Sequence, residues 1–296
     1  MGARHVLEVD DLSAAEVDRV MQLAELGDRP HVLAGRGVAL LFEKPSNRTR
    51  VSMEVAVVQL GGHPVTIRPD EVGIDTREPA EDIARIFSSY CAAIGARVYD
   101  HGVLRRLAAA AYVPVINLLS DEAHPCQGLA DLLTLRQRFG TVEGRTLAYV
   151  GDGNNVCRSL MAVAARTPLA LRVATPPGYE PPAGAGVVLT HDPAEAAAGA
   201  DAVYTDVWAS MGQEEEAAAR RRDFAGFTVD DALMARAAPH AVFLHCLPAH
   251  RGEEVAASVV DGPQSVVWQQ AENRLHAQRG LLLWLAEQAG AGTGRP

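Results

Sequence analysis

The feature that most restricts the fold is a recurrence of short apolar runs, separated by alanine-rich segments long enough to be helices. Runs over 37–42, 92–98, 113–117, 145–150, 171–174, 202–205 and 241–244 read as strands. Their apolar residues are consecutive, not alternate, so both faces of each strand must be covered. Parallel strands need a crossover long enough to hold a helix, and here the intervening segments supply one. The expected class is therefore α/β, with two doubly wound parallel-sheet domains joined by helices. A chain of 296 residues, 48% of them hydrophobic, suffices for two cores of about 100–200 residues each.

A long helix ending near Phe139-Gly140-Thr141 is the expected boundary, giving a first domain over 1–138 and a second over 139–271. A further helical stretch over 271–289 is expected to fold back, so that a C-terminal helix within 272–296 packs on the first domain. The Pro/Gly-rich segment 176–186 reads as a surface loop, and there is no internal repeat.

The formal charge of −10 argues against nucleic acid or an anionic membrane as partner, since either needs a concentrated basic face. No apolar run is long enough to span a bilayer, and acidic residues occupy the place where a secretory signal needs its apolar stretch. A cytoplasmic protein is expected. Cys91, Cys126, Cys157 and Cys246 are widely scattered, which fits reduced thiols better than a disulfide framework. Lys44 is the only lysine, so any Schiff-base chemistry would have to use it.

In open parallel sheets, ligands collect beyond the carboxyl ends of the strands. The segment Phe42-Glu-Lys-Pro-Ser-Asn-Arg-Thr-Arg50 joins the first strand to an expected helix over 51–60. Ser46 can cap that helix, leaving the amides of Asn47, Arg48 and Thr49 to face an anion. Arg48 and Arg50 add forked donors suited to phosphate oxygens, and Arg97, at the end of another strand, is a third candidate cation. Residue types alone do not separate this reading from a capped helix with two solvated arginines. His124-Pro-Cys-Gln127 opens another helix, where a histidine and a glutamine three residues apart can point the same way and bind a carbonyl oxygen and an amide. An ordinary cap is the alternative.

In the second half, Gly151-Asp-Gly-Asn-Asn155 ends a strand. Its glycines permit a tight turn and Asn155 can grip a carboxylate, whereas the full spacing of a dinucleotide loop is absent. Thr205-Asp-Val-Trp-Ala-Ser-Met211 places a carboxylate, an aromatic ring and a hydroxyl after another strand, or else a capping Asp over a packed Trp. His245-Cys-Leu-Pro-Ala-His-Arg251 offers His245, Cys246 and His250 as metal ligands, yet lacks the four-ligand set of a structural zinc site.

Ser46-Asn-Arg-Thr-Arg50 together with His124-Pro-Cys-Gln127, in this order and at this separation, resembles the carbamoyl phosphate signature of the aspartate and ornithine carbamoyltransferase family. Gly-Asp-Gly-Asn-Asn, Asp-Val-Trp-Ala-Ser-Met-Gly, His-Cys-Leu-Pro and Ala271-Glu-Asn-Arg274 resemble its ornithine branch, and the match runs from about residue 38 to 285. The aspartate branch uses a lysine from a loop between the two phosphate motifs, and 61–90 contains none.

The resemblance implies that Ser46, Asn47, Arg48, Thr49 and Arg97 hold the phosphoryl group, with Arg50 supporting. It implies that His124, Arg274 and the Thr49 hydroxyl converge on the carbonyl oxygen, and that Gln127 and the Leu247 carbonyl orient the carbamoyl NH2. Asn155 and Ser210-Met211 are implied to bind the acceptor's amino-acid backbone, with Asp206 on its α-ammonium and Cys246 helping to deprotonate the attacking amine. Arg48, His124, Asp206, Cys246 and Arg274 are thereby the catalytic candidates. The implied partners are carbamoyl phosphate, L-ornithine and further copies of the chain, as a homotrimer or a multiple of trimers, with no cofactor and no metal. Three features depart from the family's pattern. Asn47 replaces its usual threonine, Gly73 stands where many ornithine enzymes carry a glutamine that reaches a neighbouring subunit, and the N-terminal region is short. Competing readings are a carbamoyltransferase for putrescine or a modified ornithine, and a catalytically silent homologue. A silent homologue should have lost a phosphate-loop arginine, His124, Cys246 or Arg274, and all are present.

Overall fold

The computed structural model describes residues 3–184, 186–209 and 214–291. These group into two units, Met1–Leu133 with Asn273–Pro296, and Thr134–Glu272. Each is built on one parallel sheet flanked by helices, the expected α/β class.

In the first unit, α1 (Ala14–Glu25) precedes β1 (Gly37–Phe42), α2 (Asn47–Gln59) and β2 (His63–Ile67). Then come α3 (Pro69–Val72), α4 (Ala80–Tyr90), β3 (Cys91–Arg97), α5 (His101–Ala110), β4 (Val115–Leu119) and the start of α6 (Pro125–Phe139). The sheet order is β2-β1-β3-β4, every pair parallel. The two central strands, β1 and β3, carry the buried runs Val38–Phe42 and Ala92–Arg97, as consecutive apolar residues require of strands covered on both faces. Placing β1 and β3 side by side in register, Leu41 against Ala96 and Phe42 against Arg97, brings the loops after both strands to the same end.

Three boundaries differ from the sequence expectation. The helix after β1 starts at Asn47 rather than 51, because Ser46 caps it at once: its Oγ accepts from the Thr49 amide at 3.2 Å. The strand expected over 113–117 lies at Val115–Leu119, since Pro114 has no N–H to give and joins the sheet only through its carbonyl, which accepts from the Ile94 amide at 2.9 Å. The C-terminal helix α12 runs Val267–Ala291, longer than the expected 271–289. Its residues from Asn273 onward belong to the first unit. Arg19 and Glu287 pair at 2.5 Å there, and Arg279 donates to the Ala24 carbonyl at 3.1 Å. Gly280 permits this approach to α1, since a Cβ at that position would meet the Val20 carbonyl oxygen at 2.6 Å.

In the second unit, β5 (Thr146–Val150), α7 (Asn155–Arg166) and β6 (Ala170–Ala174) lead through β7 (Val187–Thr190) and α8 (Pro193–Ala197) to β8 (Ala202–Thr205). After α9 (Ala217–Asp223) and α10 (Asp231–Met234) come β9 (Val242–His245), α11 (Ala257–Val260) and the first residues of α12. The sheet order is β7-β6-β5-β8-β9, all parallel. Phe224, Phe227, Phe243 and Trp208 pack with Val203 and Val150 in its core. The chain folds β5 outward to β7 on one side and outward to β9 on the other. The ends of β5 and β8 therefore lie at the point where strand order reverses, the favoured place for a ligand in such a sheet.

Candidate active site

In the first unit, four separated segments send buried polar side chains to one place. Thr49 comes from the start of α2, Arg97 from the end of β3, His124 and Gln127 from the entrance to α6, and Arg274 from α12. All five are nearly inaccessible, at 1%, 6%, 5%, 1% and 4% respectively, so none is an incidental surface charge. The Thr49 hydroxyl is the meeting point of two guanidiniums: Arg97 donates to it at 3.4 Å and Arg274 at 3.2 Å. Arg274 also donates to Gln127 Oε1 at 2.6 Å and approaches His124 Nε2 at 3.4 Å. Arg97 is anchored from behind, its Nε donating to the Lys44 carbonyl at 3.1 Å.

Burial holds the pKa of His124 well below the usual imidazole range, and the positive charges of Arg274, Arg97 and Lys44 push the same way. The ring is therefore neutral at physiological pH, able to donate one hydrogen bond without adding further positive charge to the cluster. Two buried guanidiniums with Lys44 nearby, beside the N-terminus of α2, form an arrangement chemically able to take an anion. Asn47 and Arg48 sit exposed on that first turn. One expectation is corrected: the Thr49 amide does not face outward, because it is spent on the Ser46 hydroxyl. Arg50 is turned along the helix toward Glu54, 3.8 Å away.

The second unit brings together residues from three loops. Asp206, just beyond β8, is 5% exposed. Its Oδ1 accepts from the Cys246 thiol at 2.9 Å, and its Oδ2 from the Asn154 side-chain amide at 2.8 Å. Cys246 follows β9 directly. Leu247 adopts φ 58°, a left-handed conformation unusual for a branched side chain, and its amide donates to His245 Nδ1 at 2.8 Å. His245 Nε2 in turn meets the fully buried Glu254 at 3.2 Å. Ligand atoms of Asp206, His245 and Cys246 lie within 4.8 Å of one another, the spacing of a possible metal cluster. Both ring nitrogens of His245 are already engaged, which leaves that set poorly prepared for an ion. His250 belongs to a different group, with Glu253 and Glu254.

Asn155 is the first residue of α7, and Asn154 is its cap. The loop before them is tied down by a buried ion pair, in which Arg220 donates to Asp152 at 2.8 Å and to the Trp208 carbonyl at 2.8 Å. Ser210 and Met211 lie outside the described residues. Sequence reasoning missed Asn154, because two adjacent asparagines give no sign of which one caps. It also missed the buried Asp131, which accepts from Gln127 Nε2 at 2.7 Å; the available signal was an i,i+4 polar pair inside an apolar helix face.

Gly73 has a local structural reason. It ends α3 at φ 52°, and a Cβ there would stand 2.7 Å from that of Arg77, so a side chain at this position strains the turn.

Comparison with known proteins finds two family domains in succession along the chain. The carbamoyl-P binding domain of aspartate/ornithine carbamoyltransferase matches residues 4–137, and the Asp/Orn binding domain matches 143–285. An ornithine carbamoyltransferase of Acidothermus cellulolyticus is 53% identical over 313 aligned positions, covering 99% of each chain. One from Pyrococcus furiosus, described as anabolic, is 46% identical over 302 positions, covering 95% of this chain and 96% of the relative. The crystal structure of ornithine carbamoyltransferase from Thermus thermophilus superposes with a TM-score of 0.89 at 48% identity, covering 96% of this chain and 99% of that one. With both family domains matched in order and relatives near half identity over their whole length, the chain belongs to the aspartate/ornithine carbamoyltransferase family.

Proposed function

We propose that this protein transfers the carbamoyl group of carbamoyl phosphate to the side-chain amine of L-ornithine, giving L-citrulline and phosphate, in the direction of arginine biosynthesis. The observation that carries the reading is the convergence of Thr49, Arg97, His124, Gln127 and Arg274 from four segments of the first unit. The identity of the acceptor follows the ornithine enzymes among the relatives and the Asp206–Cys246 pair.

The reaction needs an uncharged amine, a stabilised leaving phosphate and a counter to the charge that builds on the carbonyl oxygen. Ser46, Asn47, Arg48, Thr49 and Arg97 take the phosphoryl group through amides, hydroxyls and guanidinium forks. His124, Arg274 and the Thr49 hydroxyl take the carbonyl oxygen, where a preorganised donor is worth about 2.7–4 kcal/mol in the transition state. Gln127, with the Leu247 carbonyl, orients the carbamoyl NH2. Asn155, Ser210 and Met211 hold the amino-acid end of ornithine and Asp206 its α-ammonium. The side-chain amine of ornithine has an ordinary pKa of roughly 10 and must shed a proton before it attacks. Cys246 assists by accepting the amine proton at sulfur as its own thiol proton passes to Asp206, 2.9 Å away, without forming a covalent intermediate, because the acyl phosphate is already activated. Assembly as a homotrimer, or a multiple of trimers, and residence in the cytoplasm belong to the same proposal; no helix among the described residues is long and apolar enough to cross a membrane.

The test is to incubate purified protein with carbamoyl phosphate and a panel of amines and to measure ureido product. Citrulline from ornithine is the expected result. Product with putrescine or acetylornithine and none with ornithine overturns the assignment.

A further inference from the structure

Asp206 is held from two sides, and the second holder has no place yet in the reaction. Cys246 donates to Oδ1 and Asn154 Nδ2 donates to Oδ2, at 2.9 and 2.8 Å. The other end of the same Asn154 amide caps α7, its Oδ1 accepting from the amides of Val156 at 2.9 Å and Cys157 at 3.1 Å. This fixes the amide's orientation on chemical grounds. Main-chain N–H groups only donate, so they must face the side-chain oxygen, and the NH2 is thereby turned to the carboxylate. The result is a rigid path from a helix N-terminus to one oxygen of Asp206, leaving the other for the thiol.

We propose that Asn154 is a positioning residue for the acceptor half of the reaction: by pinning Oδ2 of Asp206 it sets the carboxylate plane in which Cys246 and the amino-acid substrate are engaged. The proposal rests on the assignment of Asp206 and Cys246 to ornithine made above. Asn154 itself touches no reacting atom and acts through Asp206.

A residue that serves only as a helix cap makes the opposite forecast for one substitution. Asn154→Asp keeps an oxygen at the cap and adds negative charge beside a helix N-terminus, which favours the helix. It also replaces the NH2 by a carboxylate oxygen facing Asp206 at hydrogen-bond distance, where two like charges cannot both be accommodated without a proton or a displacement. Asn154→Ser keeps the cap and merely drops the NH2. The expected order of activity is therefore wild type, then Asn154→Ser, then Asn154→Asp, while the expected order of helix stability places Asn154→Asp at or above Asn154→Ser.

The experiment measures citrulline formation for the full chain and both variants, with KM for ornithine, affinity for carbamoyl phosphate by calorimetry, and thermal unfolding midpoints. Loss of one charge-assisted hydrogen bond should raise the ornithine KM about tenfold in Asn154→Ser, with a larger loss of kcat/KM in Asn154→Asp. Carbamoyl phosphate affinity should stay within about twofold, well inside the effect of losing a hydrogen bond. Asn154→Asp with the ornithine KM and kcat of the wild type overturns the proposal. If that variant unfolds, Asn154→Ser decides alone, an unaltered ornithine KM being the contrary result. Failure of the underlying assignment looks different: the wild-type protein then makes no citrulline, and both readings fall.

Discussion

Gln127 donates through Nε2 to the carboxylate of Asp131 at 2.7 Å, one turn further along α6, and this bond, with Arg274 on the amide oxygen at 2.6 Å, sets the orientation of the glutamine amide. With the NH2 turned to Asp131, the carbonyl oxygen is left for Arg274 and for a donor on the substrate. Carbamoyl phosphate carries such a donor in its NH2; inorganic phosphate does not. Asp131→Leu should weaken carbamoyl phosphate about tenfold, as expected for a lost hydrogen bond to an oriented partner, while phosphate affinity holds. Calorimetric titration of both ligands into both proteins measures it, and a parallel fall in the two affinities speaks against this role.

Arg48 lies exposed on the first turn of α2. Arg48→Ala should therefore lower affinity for carbamoyl phosphate by about tenfold to a hundredfold, the range for a charge-assisted contact, and move the unfolding midpoint little. Unchanged binding by calorimetry counts against its place on the phosphoryl group.

His124 ties stability to pH. Its folded pKa is depressed, chiefly by burial and then by Arg274, Arg97 and Lys44. The unfolded chain has an ordinary imidazole there, near pH 6.5, so below that pH it binds a proton that the folded protein refuses. The stabilisation is fully present above about pH 6.5 and is lost as pH falls toward the folded value, with a slope approaching about 1.4 kcal/mol per pH unit. Denaturant unfolding between pH 7 and 5 should show the wild type losing more stability than His124→Asn. Parallel curves for the two proteins refute the assignment.

Cys246→Ala removes the thiol from Asp206 and leaves the first unit untouched. Carbamoyl phosphate should bind nearly as before. Turnover should fall by about a hundredfold, within the range of general base assistance, and the best rate should move to higher pH as the amine deprotonates with less help. Rapid-quench mass spectrometry adds a second check, because a carbamoylated Cys246 on the reaction path of the wild type contradicts the non-covalent role.

What was legible in the sequence divides along physical lines. The strands β1, β3, β5, β8 and β9 are apolar at nearly every position because both faces are covered, and such runs stand out. Of the four edge strands, β2 and β7 escaped notice. His63–Ile67 and Val187–Thr190 are short and half exposed, and without a covered outer face their sequences carry no continuous apolar signal. At the site, Ser46–Arg50 and His124–Gln127 could be read from residue chemistry at strand-to-helix passages. Arg274 could not, since it comes from the middle of a long helix and nothing local marks it; only the resemblance to the family singled it out. Asn154 was hidden for another reason: it acts on a side chain 52 residues away, Asp206, and such a partner leaves no mark in the surrounding sequence. Asp131 did leave a local mark, its i,i+4 pairing with Gln127.

Lys44 sits just ahead of the first turn of α2, 9% exposed, its ammonium 5.2 Å from the centre of the Tyr99 ring. Every other fixed side-chain cation in the chain is an arginine. Reagents that modify lysine therefore have a single side-chain target, and that target is largely shielded by its own neighbours. A spectroscopic label attached through lysine would report on one known spot next to the first turn of α2, and its rate of attachment would measure how often that corner of the protein opens to solvent.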